Sequence, residues 1–250
     1  MIAVVLPAYN EAESLPTLLA AFPPALQPAG IDYRVLVVDD GSSDETAASA
    51  RAMAAQVPLT VVPHQVNRGL GAALRTGLEA ALALDPSPEA VVTLDADNTH
   101  PPDLIPTMVT ALRDGAEVVI ASRYAPGGAE VGLSPVRSLL SRGASLLLAT
   151  FCRVPGARDY TCGYRAYSGE LLNRAVAHYG DGLVEEAGFT CMAELLIKLA
   201  ALGARVAEVP LVLRYDLKGG ASKMRVGRTI RRYGGLIRAL RRDPRLKVAR

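Results

Sequence analysis

Two carboxylates separated by one residue are the sharpest chemical signal in this sequence. Asp95, Ala96 and Asp97 follow directly on an apolar run at 90–94 that has the character of a buried strand. Hard divalent ions such as Mg²⁺ and Mn²⁺ prefer carboxylates, water and substrate phosphates as ligands. We therefore expect these carboxylates to hold such an ion together with a phosphate-bearing substrate. An ordinary acidic turn is the alternative for this motif taken alone.

Two further polar clusters follow predicted strands nearer the N-terminus. Asp39 and Asp40 open the segment DDGSSD, where carboxylates can accept hydrogen bonds from ribose hydroxyls or from the N–H edge of a base. In the segment PAYNE, the ring of Tyr9 can stack on a base and Glu11 can accept a hydrogen bond from a ribose hydroxyl. The structural alternatives are an Asp-Gly-Ser turn with a helix cap and, for Glu11, a contact with the dipole of a helix N-terminus.

The pattern of the first 125 residues indicates how these clusters are brought together. Short apolar runs alternate with segments that carry an apolar stripe at helical spacing, as in βαβ units. We therefore predict an α/β fold with a mainly parallel sheet flanked by helices. Ligands bind at the carboxyl ends of parallel strands, so the three clusters should meet at one edge. The predicted strands are 2–6 (ended by Pro7), 33–38, 59–62, 90–94, 117–121 and 205–209, with a strand or turn in 157–167, and the predicted helices are 11–22, a segment capped at Ser43 or Asp44 and ending at 55, 70–84, 103–113, 135–152 and 189–202.

Composition excludes several classes of protein. Half of the 250 residues are apolar and 21% are charged, which rules out a disordered chain. The three cysteines share no CxxC spacing, so neither a disulfide scaffold nor a zinc ribbon is expected. The longest apolar run, 143–152, is too short to cross a bilayer, and the N-terminus lacks the basic region of a signal peptide. We therefore expect a cytoplasmic location.

Other common nucleotide-binding motifs do not fit the sequence. It contains no GxxxxGK[ST] pattern, and its only GxG, at 69–71, lacks a third glycine at 74. A site built from the three clusters is therefore expected to use a metal ion to hold a diphosphate. Of the histidines, His64 and His178 are expected at the surface or in turns. His100 lies beside the acidic pair, where a supporting role is the alternative to an ordinary turn residue.

The C-terminal segment is strongly basic. Residues 225–250 contain ten Lys or Arg and one acidic residue, leaving 17 basic against 24 acidic residues in the rest of the chain. We expect a basic amphipathic helix that lies on an anionic membrane surface. An arm that binds nucleic acid and a helix that docks on a membrane partner subunit are the alternatives. The predicted apolar stripe consists of Val226, Ile230, Tyr233, Ile237 and Leu240.

Taken together, the motifs resemble those of inverting glycosyltransferases of family 2 with the GT-A fold, and within that family the dolichol-phosphate (polyprenyl-phosphate) mannosyltransferase group. The resemblance spans about residues 2–224. It is specific because motifs of the acceptor side are present as well as those of the donor side. The donor-side motifs are PAYNE, DDGSSD, NRGLGAALRTG and DADNTHPP, and the others are SRY, RSLLSRGA, DYTCGYRAY, GFTCMAELL, EVP and GGASKM.

The resemblance implies roles for the donor-side residues. Asp95 and Asp97 would bind the metal ion and the diphosphate, and Ala96 between them would contact the donor. Thr99 stands where relatives often have a metal-binding glutamine, so it joins the two aspartates as an expected metal ligand. The cofactor would be Mg²⁺ or Mn²⁺. The nucleoside would be held by Pro7, Tyr9, Glu11 and one or both of Asp39 and Asp40, and a loop would bring Arg214 and Lys223 to the donor phosphates.

On the acceptor side, the resemblance implies that Arg123, Arg137 and Ser141 bind the phosphate of a lipid. Asp97, Arg123 and Arg137 would be the catalytic residues. A phosphate acceptor suits this set, because a phosphate monoester is largely dianionic at pH 7 and needs positioning rather than a general base. Glu185 and Glu186 are the best candidates for a base if the acceptor were a hydroxyl.

The expected protein is therefore an inverting transferase of one sugar, with mannose from GDP-mannose favoured, to polyprenyl phosphate. UDP-glucose or another sugar nucleotide is the alternative donor, and a non-catalytic membrane-recruited binding subunit is the alternative of another class. Residues 1–224 would form the catalytic domain, with a donor half at 1–125 and an acceptor half at 126–224, followed by the basic segment 225–250. We expect it on the inner face of the membrane, without a nucleic-acid partner.

Overall fold

The computed structural model describes residues 1–217 and 226–246, which form strands β1–β9 and helices α1–α9 with short 3₁₀ turns between some of them. The strands are β1 (Ile2–Ala8), β2 (Tyr33–Asp39), β3 (Leu59–Pro63), β4 (Ala90–Thr93), β5 (Val118–Ser122), β6 (Ala129–Val131), β7 (Arg165–Ser168), β8 (Val206–Pro210) and β9 (Val212–Arg214). The helices are α1 (Leu15–Ala20), α2 (Phe22–Leu26), α3 (Thr46–Ala52), α4 (Leu70–Leu82), α5 (Ile105–Arg113), α6 (Pro135–Phe151), α7 (Gly169–Tyr179), α8 (Cys191–Ala201) and α9 (Val226–Arg242).

The main sheet has seven strands in the order β3-β2-β1-β4-β7-β5-β8. Every neighbouring pair is parallel except those that involve β7, which runs antiparallel between β4 and β5. The predicted α/β fold with a mainly parallel sheet is confirmed. Strands β6 and β9 form a separate parallel pair. Because β1, β2 and β4 are adjacent and parallel, the polar segments that follow them leave the sheet at the same edge.

Apolar side chains on both faces of the sheet form one core. The residues of β4 and β5 are all buried, as expected for strands covered by helices on both sides. Helix α4 packs on β1 and β2 through its buried face. At its start the chain approaches the loop before α8 closely, since a Cβ on Gly71 would lie 1.8 Å from the carbonyl oxygen of Glu186. This contact helps to place the 187–190 segment beside the site.

Several element boundaries differ from the sequence-based expectations. Pro7 lies inside β1 rather than after it, because β4 pairs with β1 only as far as Val5 and the missing N–H of Pro7 therefore interrupts no bond to β4. The predicted helix at 11–22 is two short helices, α1 and α2, with Asn10 at φ +52° before them. Helix α3 begins after Glu45 rather than after Ser43 or Asp44.

Helix α7 was not predicted at all, although its start has a sequence signal. The hydroxyl of Ser168 accepts a hydrogen bond from the backbone N–H of Leu171, as expected for an N-cap. The strand-or-turn segment at 157–167 contributes the first three residues of β7. This antiparallel strand closes the gap between β4 and β5 and leads directly into α7.

The C-terminal helix α9 presents an apolar face to the body of the protein. Tyr233, Leu236, Ile237 and Leu240 are buried, and α9 packs against α6. Of the predicted apolar stripe, Tyr233, Ile237 and Leu240 therefore face the protein rather than a membrane, and the side chains of Val226 and Ile230 lie outside the described part of the structure. Among the described residues, no helix is both long and apolar enough to cross a bilayer.

Candidate functional site

A cavity of about 570 Å³ opens at the edge of the sheet where β1, β2 and β4 end. Segments from both parts of the chain line it. On one side are Pro7, Tyr9, Glu11, Asp40, Asp95, Ala96, Asp97 and Thr99, and on the other are Arg123, Arg137 and Ser141. The structure thus brings together eleven of the residues that the sequence singled out.

The acidic motif after β4 is ordered by local hydrogen bonds. The Thr99 hydroxyl donates to Oδ1 of Asp97 at 2.6 Å, and the Thr99 backbone N–H lies 3.3 Å from the same oxygen. Asn98 lies between these two residues in the left-handed conformation, with φ +63°, so the chain turns back sharply there. Its side-chain amide donates to the carbonyl oxygen of Ser14. Thr99 therefore orients the Asp97 carboxylate directly.

His100 supports the same loop through a hydrogen bond to its backbone. Its Nδ1 accepts the backbone N–H of Asp95 at 3.0 Å, so the ring proton is on Nε2. The ring is buried and lies beside the thiol of Cys162. Burial raises the pKa of that thiol to about 12, which keeps it protonated. His100 therefore holds the backbone at the first aspartate, which agrees with the supporting role considered above.

The two aspartates that follow β2 have different environments. Oδ1 of Asp39 accepts the backbone N–H of Ser42, so this carboxylate closes a turn and does not line the cavity. Asp40 does line it, and its Oδ1 lies 2.7 Å from Nδ1 of His64. His64, expected at the surface or in a turn, lies in the loop directly after β3, and the surface alternative is wrong because its side chain is only 5% exposed. His178 is exposed, as expected.

Arg123, at the opposite side of the cavity, is held by a carboxylate that sequence reasoning missed. Its Nε and Nη2 each donate to Asp159 at 2.7 Å, Nη2 also donates to Thr161, and Nη1 lies 3.3 Å from Glu130. Four of the five N–H donors of this guanidinium are therefore engaged within the protein. Asp159 is completely buried and also accepts backbone N–H groups of Thr161 and Cys162.

Electrostatics keep the Arg123–Asp159 pair charged. Burial opposes the charge on each group, but the attraction between them together with their hydrogen bonds outweighs that penalty. The pKa of the Asp159 carboxyl is therefore lowered and the pKa of the Arg123 guanidinium is raised. The buried carboxylate of Glu130 also contacts the hydroxyl of Ser138 on α6. Glu130 thus connects Arg123 to the helix that carries Arg137 and Ser141.

Arg137 and Ser141 project from α6 toward the cavity and are oriented by tyrosines. The Arg137 guanidinium lies over the ring of Tyr215 at 5.2 Å, and Nη1 donates to the Tyr215 hydroxyl. The Tyr124 hydroxyl donates to Oγ of Ser141 at 3.1 Å. Burial raises the pKa of Tyr124 to about 12, so this donor stays protonated at neutral pH.

Three other candidates do not line the cavity, and a fourth lies outside the described residues. Arg214 is exposed on β9, where its guanidinium makes a bidentate pair with Asp216, and it does not line the cavity. Lys223 lies outside the described residues. Glu185 pairs with Lys198 at 2.8 Å. Glu186 accepts the hydroxyl of Thr190, and neither glutamate lines the cavity.

The oxygen ligands in the cavity fit a divalent cation whose coordination shell is completed by a substrate. Asp95 and Asp97 line the cavity beside the hydroxyl of Thr99, all of them oxygen donors. Within residues 1–217 and 226–246, no group of three or more His, Cys, Asp or Glu side chains is arranged to hold an ion by itself. Mg²⁺ commonly takes one or two carboxylates and draws its other ligands from phosphates and water. The residues present agree with that mode of binding.

Similar proteins of known name share most of the chain. The dolichol-phosphate mannosyltransferase of Pyrococcus furiosus is 31% identical over 93% of this chain, which spans 61% of that relative's length. The undecaprenyl-phosphate mannosyltransferase of Micrococcus luteus is 35% identical over 89% of this chain and 87% of its own. The polyprenol monophosphomannose synthase of Mycolicibacterium smegmatis is 34% identical over 88% of this chain and 80% of its own length.

Solved structures share the fold at lower identity. Glucosyl-3-phosphoglycerate synthase from Mycobacterium tuberculosis, in complex with Mn²⁺, uridine diphosphate and phosphoglyceric acid, is similar over the whole chain and 80% of its own, with a TM-score of 0.71 and 24% identity. A structure of the same synthase with Mg²⁺ and uridine diphosphate has a TM-score of 0.69 at 24% identity and also covers the whole chain and 80% of its own. The shared architecture is a GT-A-like α/β fold. The sequence profile described as glycosyl transferase family 2 matches residues 3–174, and with the relatives above it shows that the chain belongs to this family.

Proposed function

We propose that the protein transfers one sugar from a nucleotide-sugar donor to a polyprenyl phosphate, with mannose from GDP-mannose as the favoured donor. The observation that carries this proposal is the composition of the cavity. It joins an oxygen-rich side at Asp95 and Asp97 to a side with Arg137 and Ser141. The relatives named as polyprenyl-phosphate mannosyltransferases support the same acceptor. UDP-glucose is the alternative donor.

The reaction is a displacement at the anomeric carbon. An oxygen of the acceptor phosphate forms a bond to that carbon, and the bond from the carbon to the diphosphate oxygen breaks. The bonding electron pair leaves with the nucleoside diphosphate, and the configuration of the sugar is inverted. A phosphate oxygen carries its negative charge at neutral pH, so no base has to remove a proton. The positions of Glu185 and Glu186 outside the cavity agree with this chemistry.

On the donor side, Asp95 and Asp97 would hold Mg²⁺ or Mn²⁺, with Thr99 fixing the orientation of Asp97. A bound ion neutralises charge on a diphosphate leaving group. Tyr9, Glu11 and Asp40 would contact the nucleoside, because they line the cavity next to this motif. We do not assign donor binding to Asp39 or to Arg214, whose side chains are engaged elsewhere.

On the acceptor side, we assign direct phosphate binding to Arg137 and Ser141. Arginine donors match phosphate oxygens, and the stack on Tyr215 holds the Arg137 guanidinium in the cavity wall. Arg123 has one N–H donor beyond those used by Asp159, Thr161 and Glu130. It therefore contributes one hydrogen bond and shapes the wall, rather than clamping the phosphate with two.

The membrane would be contacted through α6 rather than through the apolar face of α9. The outward side chains Val136, Leu139 and Leu146 of α6 are 66%, 71% and 70% exposed. The same helix directs Arg137 and Ser141 into the cavity, so this face lies next to the proposed acceptor site. The exposed side chain of Arg142 on α6 adds positive charge, which favours an anionic lipid surface. We place this contact at the inner face of the membrane.

The test is product formation with the purified protein, a short polyprenyl phosphate and Mg²⁺ or Mn²⁺. GDP-mannose and UDP-glucose are offered in separate reactions, with Asp97→Asn as the inactive control. Sugar-lipid from GDP-mannose alone would support the favoured donor, and product from UDP-glucose alone would support the alternative. Nucleotide binding without turnover of any offered donor would point to a binding subunit. No nucleotide binding at all would overturn the transferase proposal.

A further inference from the structure

Asp40 is held more firmly than a residue at the end of a strand requires. Its backbone N–H donates to the carbonyl oxygen of Ala8, which ties it to the end of β1. Its Oδ1 accepts from Nδ1 of His64 at 2.7 Å and from the Arg68 backbone at 3.0 Å, and Oδ2 accepts the Gly69 backbone N–H at 2.8 Å. A carboxylate offers about four acceptor positions, so one is left, on Oδ2.

His64 belongs to a short chain of hydrogen bonds that ends at Asp40. Its Nε2 lies 3.0 Å from the Thr76 hydroxyl on α4, and its backbone N–H donates to the carbonyl oxygen of Asp39. A carboxylate oxygen only accepts, so Nδ1 of His64 carries a proton and donates it to Asp40. The Thr76 hydroxyl can then donate to Nε2. Both side chains of the His64–Asp40 pair are at least nine-tenths buried.

The two backbone donors depend on a backbone conformation that suits glycine. Gly69 has φ +91°, and a Cβ at that position would lie 2.5 Å from the carbonyl oxygen of Ala187. This turn at the start of α4 directs the N–H groups of Arg68 and Gly69 to Asp40. The Asp40 carboxylate therefore accepts from two backbone donors and one side-chain donor, which is His64.

The segments that are hydrogen-bonded to Asp40 also contribute apolar side chains to the cavity. Pro7, Leu70 and Ala73 line the cavity together with Asp40. A carboxylate flanked by such apolar side chains suits a planar ring that presents an N–H at its edge better than it suits a sugar with several hydroxyls. The acceptor position left on Oδ2 supplies the matching hydrogen bond.

We infer that His64 is a positioning residue for the base of the nucleotide donor: by holding Oδ1 of Asp40, it leaves Oδ2 as the acceptor for one N–H of that base. This inference rests on the proposed function, because it assigns a role within the same nucleotide site. His64 does not touch the base; it acts through Asp40. Removing its N–H would leave Oδ1 with the Arg68 backbone donor alone, and the less firmly held carboxylate would bind the base more weakly while the contact with the diphosphate is kept.

The experiment compares the binding of three probes, GDP, UDP and inorganic pyrophosphate, each with Mg²⁺, by titration calorimetry. The variant His64→Leu removes the donor at similar volume. His64→Asn restores an N–H near the place of Nδ1. Thr76→Val breaks the chain one step further from Asp40. His178→Leu is the matched control, because this histidine is exposed on α7.

We expect His64→Leu to lower the affinity for the nucleotide that the wild type binds by about tenfold. This is the loss typical of one buried hydrogen bond to a charged group. Pyrophosphate affinity should change by less than about twofold, since its contacts do not involve the base. His64→Asn should recover most of the loss, Thr76→Val should give an intermediate loss, and His178→Leu should have no effect. In turnover, KM for the donor should rise while kcat is nearly unchanged.

Equal nucleotide affinity in His64→Leu and the wild type would overturn the inference and leave the proposed function standing. So would an equal loss of nucleotide and pyrophosphate affinity, because that is the result of a damaged fold rather than a misplaced carboxylate. If His64→Leu fails to fold, Thr76→Val decides by the same comparison of probes. A wild type that binds neither GDP nor UDP would overturn both the proposed function and this inference.

Discussion

Arg123 and Asp159 form a bidentate ion pair across two segments that lie 36 residues apart, with Nε and Nη2 each 2.7 Å from a different carboxylate oxygen. Asp159 is completely buried, and backbone N–H groups occupy its remaining acceptor positions. The pair fixes the end of β5 to the segment before β7. It also determines how much of Arg123 is available to a substrate.

Breaking this pair should strongly destabilise the folded protein. Asp159→Asn leaves the Arg123 guanidinium buried without its full counter-charge, and we expect a loss of about 3–5 kcal/mol in the free energy of unfolding. Chemical denaturation measures it. Glu89→Gln is the control, because it removes a pair with Arg113 whose side chains are 43% and 57% exposed; such a change should cost under about 1 kcal/mol. Equal effects of the two substitutions would contradict the assigned importance of the buried pair.

The same pair predicts a pH dependence of stability. The pKa of Asp159 in the folded protein is lowered below its usual value of 3.8. Its contribution to stability should therefore be complete above that pH and disappear as the pH falls through the lower folded value. The difference in unfolding free energy between wild type and Asp159→Asn should be constant near neutral pH and shrink below about pH 4. A difference that grows on acidification would contradict this assignment.

Thr99 should matter for metal binding through its hydroxyl. Thr99→Val keeps the shape of the side chain but removes the hydrogen bond to Oδ1 of Asp97, so that carboxylate loses its fixed orientation. We expect the concentration of Mn²⁺ or Mg²⁺ needed for half-maximal nucleotide binding to rise by about tenfold or more, as is common when a partner of a ligand is removed. Thr99→Ser should behave like the wild type. If the serine and valine variants are equally impaired, the hydroxyl is not the cause.

Arg137 and Arg142 are a matched pair on one helix. Arg137 lines the cavity and stacks on Tyr215, whereas Arg142 is exposed and lies over the ring of Tyr124. Arg137→Ala should raise KM for polyprenyl phosphate by about tenfold or more, because a charge-assisted contact to phosphate is lost. Arg142→Ala should change that KM little. Similar effects of the two substitutions would argue against direct phosphate binding by Arg137.

The outward face of α6 should control binding to lipid. Replacing both Leu139 and Leu146 by Asp introduces charge into the proposed contact, and we expect most of the binding to vesicles with anionic lipid to be lost. Val176→Asp is the control, since Val176 is an exposed apolar residue on α7. Co-sedimentation with vesicles measures the effect. Nucleotide affinity should be unchanged in both proteins, and unchanged vesicle binding of the double variant would contradict the proposal.

The fold and the donor-side motifs could be predicted because their signals are local. Apolar runs at strand length alternate with helical stripes, and that pattern depends on neighbours a few residues away. The acidic pair at Asp95 and Asp97 carries its own signal in the same way. Helix α7 was missed because its apolar spacing was not separated from the segment before it, even though Ser168 is a good cap.

The contacts that control the site are between distant positions. His64 was expected at the surface or in a turn because a lone histidine in a polar segment carries no sign of burial. Strand β3 pairs with β2, and this brings His64 into hydrogen-bond contact with Asp40. Asp159 was part of a recognised motif, but its contact with Arg123 depends on the packing of β7 between β4 and β5. Arg214 was expected in the cavity, and its neighbour Asp216 holds it on the surface.

By itself the sequence determined the fold class, the family resemblance and most of the side chains that gather at one edge of the sheet, because the positions and ends of the strands follow from local patterns. The tertiary structure decided which of those side chains line the cavity and which carboxylates hold them. It also decided which face of α9 is buried and which face of α6 is left outward. The reason is that burial and ion pairing depend on the distances between segments that are far apart in the sequence. Local sequence patterns carry no information on those distances.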